Sequence, residues 1–193
     1  EGRHGLLRGI SPQGRVDTAG PAAFPGDEWR LVGQGLSVKR YPVCYASHRA
    51  IDAVIELAVG LDPTAVRSVT VSLGPAPAET LRYADPADGL EARFSLHHNV
   101  AAALVDGAVG FTQLQDAFVR RPDVARLYGL TTIEVVTGED CPDQPGMAKF
   151  DRVVIALHDG SARDSGPIRH PRGHAASPMS DADALRLIDF DSG

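Results

Sequence analysis

The chain has 193 residues, 43% of them hydrophobic and 23% charged, with a formal net charge of −6 and a pI near 5.6. This composition excludes a disordered or fibrous chain, the acidic balance argues against nucleic acid as the main partner, and no apolar run reaches the roughly 18 residues that a membrane-spanning helix needs. The two cysteines, Cys44 and Cys141, are too few for a disulfide framework, which favours a reducing compartment and a cytoplasmic location.

Residues 1–37 are rich in glycine and proline and show little hydrophobic periodicity, which predicts a connecting segment without a core of its own. After it, Pro42 favours an extended conformation at Tyr41. Ser47 is typical of a helix N-cap, and a helix is predicted from there to the break at Asp62-Pro63. The residues at helical spacing that would form its apolar face are Ile51, Val54, Ile55 and Ala58.

The middle of the chain alternates strand and helix signals. A half-buried strand is predicted around 69–73, where valine and leucine alternate with polar residues, and Gly74-Pro75 would end it. A second helix is predicted over 90–106, with Gly107 as the left-handed residue that follows its end. Two shorter helices are predicted at 110–119 and 122–128.

The last third contains hairpin signals. A β-branched run predicts a strand over 131–137, and a further strand over 152–157 is joined by the turn Asp159-Gly160 to a hairpin partner at 163–168. A short helix is predicted at 179–188, beginning at Ser177 or Ser180. Strands interleaved with helices and followed by a hairpin predict an α+β fold, a sheet with packed helices, rather than a strictly parallel array.

The segment from Lys39 to His48 is the densest cluster of chemically versatile side chains. It combines a lysine, an arginine, a thiol and an imidazole on a loop that enters a helix, and Lys39 is one of only two lysines in the chain. Free N–H groups at a helix start attract anions, and Lys39 and Arg40 add positive charge, so the natural ligand is a carboxylate. The alternative interpretation is a solvated loop before an ordinary helix.

Histidines give two further hypotheses. His98 lies at the edge of the apolar face of the second predicted helix, where it is either a proton-transfer group or a core-edge histidine with satisfied hydrogen bonds. His170 and His174 have the spacing of a helical metal pair, but the proline and glycine between them argue against a helix, so no metal site is predicted. The acidic stretch 139–143 is interpreted as a solvated loop. No phosphate-binding loop, dinucleotide glycine motif or nucleophile elbow is present in the sequence, and no cofactor is expected.

Three segments, in this order along the chain, resemble the MmgE/PrpD family. The first is Lys39-x-Tyr41-Pro42-x-Cys44-x-x-x-His48-x-x-Ile51-Asp52-Ala53, the second is Glu91-Ala92-Arg93-Phe94-Ser95-Leu96 followed by 100–107, and the third is Gly173-His174 followed by Pro178-Met179-Ser180. The first two are the more specific. The family includes 2-methylcitrate dehydratases, cis-aconitate decarboxylases and iminodisuccinate epimerases.

The resemblance implies a two-domain enzyme with an all-helical domain, built from both ends of the chain, and an α+β lid. On this basis residues 1–37 are expected to connect from the helical domain, 38–172 to form the lid, and 173–193 to return toward the helical domain. Glu1-Gly2 resembles a Leu-Glu-Gly sequence that precedes the lid in relatives, so most of the helical domain is expected to lie outside this chain. Relatives are commonly homodimers.

The resemblance also assigns roles to individual residues. Lys39 matches the active-site lysine, expected to hold a substrate carboxylate and to stabilise the charge that develops on deprotonation. His98 is the second expected catalytic residue; it stands where decarboxylase relatives have tyrosine, which argues against cis-aconitate decarboxylation. The expected substrate-binding residues are Cys44, Arg40, His48 and Arg93. For His48 and Arg93 a structural role, as a cap and as a tie to the second helix, is the alternative.

Two functions remain open. The first is part of a cofactor-independent lyase or isomerase, similar to 2-methylcitrate dehydratase, that abstracts a proton α to a carboxylate of a small di- or tricarboxylate. Loss of water or carbon dioxide, or reprotonation on the other face, would complete the reaction. The second is a non-catalytic fragment or partner subunit that needs a separate helical chain for activity.

Overall fold

The computed structural model describes residues 32–33, 35–138, 140–141 and 144–189, and the unit considered below begins at Ser37. The predicted connecting segment, 1–37, therefore lies almost entirely outside the described residues, as do Glu139 and Asp143 of the predicted acidic loop. The boundaries predicted for the three segments of the chain stay predictions.

A four-stranded mixed sheet forms one layer of the fold. The strands, in chain order, are β1 (Val66–Leu73), β2 (Thr131–Val135), β3 (Asp140–Cys141), β4 (Gln144–Ala148), β5 (Arg152–Leu157) and β6 (Ala162–Asp164). The sheet order is β2-β1-β5-β6, in which β1 and β2 run parallel and the other neighbours antiparallel, while β3 and β4 form a separate antiparallel ribbon. The parallel pair followed by a hairpin confirms the predicted α+β class.

Helices pack against this sheet and against one another, and seven are present among the described residues. They are α1 (His48–Leu57), α2 (Pro75–Thr80), α3 (Gly89–Ala92), α4 (Leu96–Asp106), α5 (Asp116–Val119), α6 (Pro122–Tyr128) and α7 (Asp181–Asp189). Helix α1 packs on β5, and α4 packs on β2 and against both α1 and α6. From Val69 to Leu73 every second residue of β1 is fully buried, and Val66, before the shift in register between Val66 and Ser68, is fully buried as well. These side chains belong to the hydrophobic core, whose burial stabilises the fold. Within the described residues, no helix is both long enough and apolar enough to cross a membrane.

Helix α1 is more deeply buried than its sequence predicts. The expected apolar face is present, since Ile51 and Val54 are fully buried. All seven residues from His48 to Val54 are nevertheless buried, including the charged Arg49 and Asp52. Burying charged groups is costly unless they are paired, so α1 must have polar partners on the side that its sequence pattern assigns to solvent.

The predicted helix over 90–106 is two helices. The chain leaves the helical conformation between α3 and α4, and Ser95 (φ −113°, ψ 112°) becomes the N-cap of α4, its hydroxyl accepting from the His98 N–H at 3.0 Å. A capping serine satisfies an N–H that otherwise has no partner at a helix start, which favours a new start over a continuous helix. Gly107 follows α4 with φ 65°, as predicted.

Other boundaries also differ from prediction. Ser47 occupies the N-cap position of α1, as predicted, but its side chain makes no capping hydrogen bond, because its hydroxyl donates to the Cys44 carbonyl at 2.8 Å. A 3₁₀ turn at Tyr45–Ser47 precedes the helix. The predicted helix at 110–119 is a 3₁₀ turn at Thr112–Leu114 followed by α5. Helix α2 was not predicted, because Gly74-Pro75 signals the end of a strand while Pro75 is also favourable in a first helical turn. The predicted hairpin partner at 163–168 is the shorter strand β6.

Candidate functional site

The predicted cationic loop lies directly before α1 at the surface. Lys39 is exposed, and its Nζ donates to the carbonyl oxygen of Val43 at 3.3 Å, so the ammonium group folds back over the loop. Arg40 is half-buried, with its guanidinium carbon 5.6 Å from the centre of the Tyr41 ring. Two cationic side chains thus lie side by side at the start of the domain, one of them open to solvent.

The three segments that carry the sequence pattern come together around this loop. The Cys44 N–H donates to the carbonyl oxygen of Arg93 at 3.0 Å, which joins the loop to the turn before α4. Asn99 Nδ2 donates to Ser47 Oγ at 3.1 Å, which joins the end of the loop to α4 itself. On the other side, the Val38 N–H donates to the carbonyl oxygen of Gly173 at 2.8 Å.

His48 is buried beneath the loop between two tyrosine rings. Its ring centre lies 5.1 Å from that of Tyr41 and 4.8 Å from that of Tyr45. Burial lowers the pKa of His48 to about 4; backbone groups of Val43 and Tyr41 oppose this shift, and the charge of Lys39 adds to it. The imidazole is therefore neutral at pH 7, and the positive charge of the loop stays on Lys39 and Arg40.

Buried polar atoms without a hydrogen-bond partner concentrate under this loop. Across the described residues, eight such side-chain atoms are present, of which Arg49 Nη2 and Asp151 Oδ1 face each other in an ion pair. Five of the other six are Arg40 Nη1, Tyr45 Oη, His48 Nδ1 and Nε2, and Asn99 Oδ1. Buried polar groups are normally paired, because leaving one unpaired costs about 1–3 kcal/mol. Such groups call for an explanation, and a ligand, water or ion bound beside the exposed Lys39 is one that their position allows.

Cys44 and Arg93 also meet at this loop. The Cys44 side chain is half-buried and is a free thiol, and Arg93 is exposed on the turn between α3 and α4. The contact between them is made by their backbones, so the Arg93 guanidinium stays at the surface. Five of the six residues predicted for the site therefore lie on this loop, at the start of α1 or on the turn joined to the loop: Lys39, Arg40, Cys44, His48 and Arg93.

His98, the sixth, lies in the core. It is fully buried, with Nδ1 2.9 Å from the Tyr128 hydroxyl and Nε2 2.8 Å from the carbonyl oxygen of Gln113. A carbonyl only accepts hydrogen bonds, so Nε2 must carry a proton. Burial lowers the pKa of His98 to about 4, which keeps it neutral at pH 7. These contacts favour a role in packing α4 against α6; proton transfer by His98 stays a prediction.

A buried carboxylate that the sequence analysis missed links the loop to the end of the domain. Asp52 Oδ1 accepts from the Tyr41 hydroxyl at 2.7 Å, and its Oδ2 accepts from the Arg172 N–H at 2.7 Å. Burial raises the pKa of Asp52, while the hydrogen bonds from Tyr41 and Arg172 oppose that shift. The available signal was an aspartate next to Ile51 in the first pattern segment, but a polar residue there also fits a solvated helix face.

A second missed pair fixes α1 to the sheet. Arg49 donates through Nε to Asp151 Oδ2 at 3.0 Å, and its Nη2 lies 2.8 Å from Asp151 Oδ1. Its Nη1 donates to the carbonyl oxygen of Ala148 at the end of β4. Burial raises the pKa of Asp151, and Arg49 opposes this shift. This ion pair holds the helix that carries His48 and Asp52 against β5.

The histidine pair of the third segment is stacked rather than arranged as chelating ligands. The ring centres of His170 and His174 are 4.3 Å apart, and His174 Nδ1 accepts from the Ala176 N–H at 3.0 Å. Within the part of the chain that the structure describes, no group of three or more histidine, cysteine, aspartate or glutamate side chains is placed to hold a metal ion.

Comparison with known proteins adds one match. A family model described as the MmgE/PrpD C-terminal domain matches residues 41–186, which is most of the chain. The matched range includes Cys44, Asp52, Arg93 and Gly173 and begins just after Lys39 and Arg40. No curated protein sequence matches the chain.

Proposed function

The chain belongs to the MmgE/PrpD family, whose members are generally enzymes of a dehydratase-like kind, and from this premise we propose that it supplies the carboxylate-binding loop of a cofactor-independent lyase or isomerase. The proposed substrate is a small di- or tricarboxylate, and the proposed reaction starts with removal of the proton α to a carboxylate. Dehydration of a 2-methylcitrate-like acid is the leading candidate, and a cytoplasmic location is part of the proposal.

The observation that carries the proposal is the exposed Lys39 beside Arg40, above a layer of buried and unpartnered polar atoms. In an acidic chain of net charge −6, these cations would attract a carboxylate to one place on the surface. Arg40 can bind a carboxylate through two N–H groups, whereas Lys39 is a compact charge that adapts to the position of the substrate.

Lys39 would perform the electrostatic part of the reaction. Loss of the α-proton moves negative charge onto the carboxylate, and an ammonium group held next to it stabilises that charge more in the transition state than in the ground state. The hydrogen bond from Lys39 to Val43 sets the starting position of the ammonium group. His48, which is neutral, adds no further positive charge beneath Lys39.

The base that removes the α-proton is a different group from Lys39. His48 and His98 are fully buried, and burial keeps the pKa of each at about 4, so their surroundings give neither of them direct access to a substrate at the surface. Cys44 is half-buried at the edge of the loop and would contact the substrate. We propose that the base comes from the helical domain of the enzyme, in agreement with the two-domain architecture that the resemblance implies.

The direct test is exchange of the α-proton with solvent. The purified protein is incubated in D₂O with 2-methylcitrate, citrate, cis-aconitate and related diacids, and deuterium incorporation and product formation are followed by NMR. Exchange or elimination with one of these acids, lost in the Lys39→Ala variant, supports the proposal. Absence of both with every acid, also after a helical subunit encoded beside this chain is added, contradicts it.

The second candidate is a non-catalytic fragment or a partner subunit that needs a separate helical chain. It is favoured by large apolar side chains exposed around α3 and the turn after α4: Leu90 (68%), Phe94 (40%) and Phe111 (49%). Exposed apolar groups on neighbouring elements are typical of a surface that another chain or domain covers. A helical chain whose rate is the same with this chain and with its Lys39→Ala variant would select this candidate.

A further inference from the structure

We propose that Asp52 is a positioning residue that holds Lys39 in place by joining the two ends of the domain. We name the residues concerned the Asp52 clamp: Val38, Tyr41, Asp52, Arg172 and Gly173. The inference rests on the proposed function, because it gives Asp52 its purpose through Lys39. Neither the family match nor the predicted site residues assign a role to Asp52.

The first arm of the clamp reaches the cationic loop. Tyr41 is 5% exposed, and its hydroxyl donates to Asp52 Oδ1 at 2.7 Å. Burial and the negative charge of Asp52 raise the pKa of Tyr41, so the tyrosine keeps its proton and remains a donor at every physiological pH. The loop is thereby fixed to α1 two residues after Lys39.

The second arm reaches the return segment. Asp52 Oδ2 accepts from the backbone N–H of Arg172 at 2.7 Å, and the guanidinium of Arg172 pairs with Glu56, one turn further along α1. The next residue, Gly173, accepts from the Val38 N–H at 2.8 Å. The return segment is thereby fixed to α1 and, through Val38, to the residue before Lys39.

Together the two arms fix the chain on both sides of Lys39. Tyr41 follows it and is bonded to Asp52, while Val38 precedes it and is bonded to Gly173, whose neighbour Arg172 is bonded to the same carboxylate. One buried carboxylate, 8% exposed, therefore accepts from both segments that determine where the ammonium group lies. Such positioning matters because a displacement of about 1 Å can cost as much as about 100-fold in rate.

The test compares three variants by hydrogen exchange and by kinetics. Tyr41→Phe removes one arm, Asp52→Ala removes both, and Tyr128→Phe removes a similarly buried hydroxyl (6% exposed) elsewhere in the core. Amide exchange in peptides covering 37–41 and 171–175 is measured by mass spectrometry on the intact protein. Asp52→Ala is expected to speed exchange in both segments by about fivefold or more, Tyr41→Phe only in 37–41, and Tyr128→Phe in neither.

The kinetic readout uses whichever acid shows α-proton exchange. Asp52→Ala and Tyr41→Phe are expected to lower kcat/KM by about 10- to 100-fold, with most of the loss in kcat, because a displaced Lys39 stabilises the charge of the transition state less well. Wild-type exchange at 37–41 in Asp52→Ala, or wild-type kcat/KM in both variants of an active protein, overturns the proposal. If Asp52→Ala does not fold, Tyr41→Phe decides on the same criteria.

Failure of the proposed function would leave the hydrogen-exchange test of the Asp52 clamp valid. If the wild-type protein turns over none of the acids, the carboxylate reaction is wrong, while the exchange experiment still reports on the clamp. Faster exchange in both segments of Asp52→Ala than in the wild type then supports the clamp. Faster exchange in only one segment, or in neither, overturns it. Failure of the proposed function and failure of the Asp52 clamp are therefore distinguishable.

Discussion

The N–H of Val38 donates to the carbonyl oxygen of Gly173 at 2.8 Å, and Gly173 has no room for a side chain at this contact. A Cβ atom on Gly173 would lie 2.3 Å from the carbonyl oxygen of Val38, and the backbone there has φ +90°. Glycine alone adopts this conformation without strain. The glycine of the third pattern segment is thus required by the close approach of the chain next to Lys39.

We expect Gly173→Ala to displace the segment that carries Lys39. The variant should lose about 2–4 kcal/mol of unfolding free energy, since it combines left-handed strain with a backbone clash. Its matched control is Gly160→Ala, where φ is +88° but no atom lies within 4 Å of the added Cβ. The control should lose only about 1 kcal/mol and keep wild-type kcat/KM. Equal losses in the two variants, measured by urea unfolding, would contradict this account.

Lys39 can be tested against the only other lysine of the chain. Lys39→Ala should lower kcat/KM by about 100-fold or more, because it removes the charge that stabilises the deprotonated substrate. The unfolding free energy should change by less than about 0.5 kcal/mol, because the side chain is exposed. Lys149→Ala is the control, since Lys149 is an exposed lysine after β4, more than 100 residues after Lys39 in the chain. Comparable kinetic losses in both variants would refute the assigned role.

Local signals were sufficient for much of the fold. Helix α6 and strand β5 have the predicted bounds, because a first-turn proline and a β-branched run are signals contained within each element. The break before α4 was not predictable in the same way, since an apolar run suits a continuous helix as well as one restarted at Ser95. Competition between a cap and a continuous helix is decided by packing that a single sequence does not show.

The residues of the candidate site also differ in whether a single sequence can indicate them. Lys39, Arg40 and Cys44 could be proposed because residue type and position within one short segment single them out, and their roles stay predictions. Asp52 was not, because its helix has an apolar face that explains the pattern, and its burial depends on Arg172, far away in the chain. A polar side of a helix is indistinguishable from a solvated one until the segment that covers it is known.

Removing one partner of the buried ion pair between Arg49 and Asp151 should strongly destabilise the fold. Asp151→Ala leaves Arg49, 8% exposed, without its countercharge and should lower the unfolding free energy by about 3–5 kcal/mol. Asp123→Asn breaks the exposed pair of Arg121 and Asp123 and should cost at most about 1 kcal/mol. The double change Arg49→Met with Asp151→Leu should recover part of the loss. A cost below 1 kcal/mol for Asp151→Ala in urea unfolding would show that the pair is dispensable.

Acid should destabilise the domain through its two fully buried histidines. Burial lowers the pKa of His48 and of His98 to about 4, below the ordinary value of 6.5, so the unfolded chain binds their protons first as the pH falls. Their contribution is present above pH 6.5 and is lost between about pH 6.5 and 4. Within that window each histidine lowers the unfolding free energy by up to about 1.4 kcal/mol per pH unit. Over the whole window this amounts to about 3 kcal/mol for each histidine.

Urea unfolding at pH 7, 5.5 and 4.5 measures this slope. His48→Gln and His98→Gln should each flatten the dependence of unfolding free energy on pH, even where lost packing lowers stability at pH 7, because glutamine does not titrate. Val100→Ala, a change at a fully buried residue that does not titrate, should lower the unfolding free energy but leave the slope as in the wild type. Parallel curves for the wild type and both histidine variants would mean that His48 and His98 have the same pKa in the folded and the unfolded chain, so that burial does not shift them. Below about pH 6.5 both would then be positively charged in the folded protein, His48 beneath Lys39, and the charge of the site would no longer rest on Lys39 and Arg40 alone in that range.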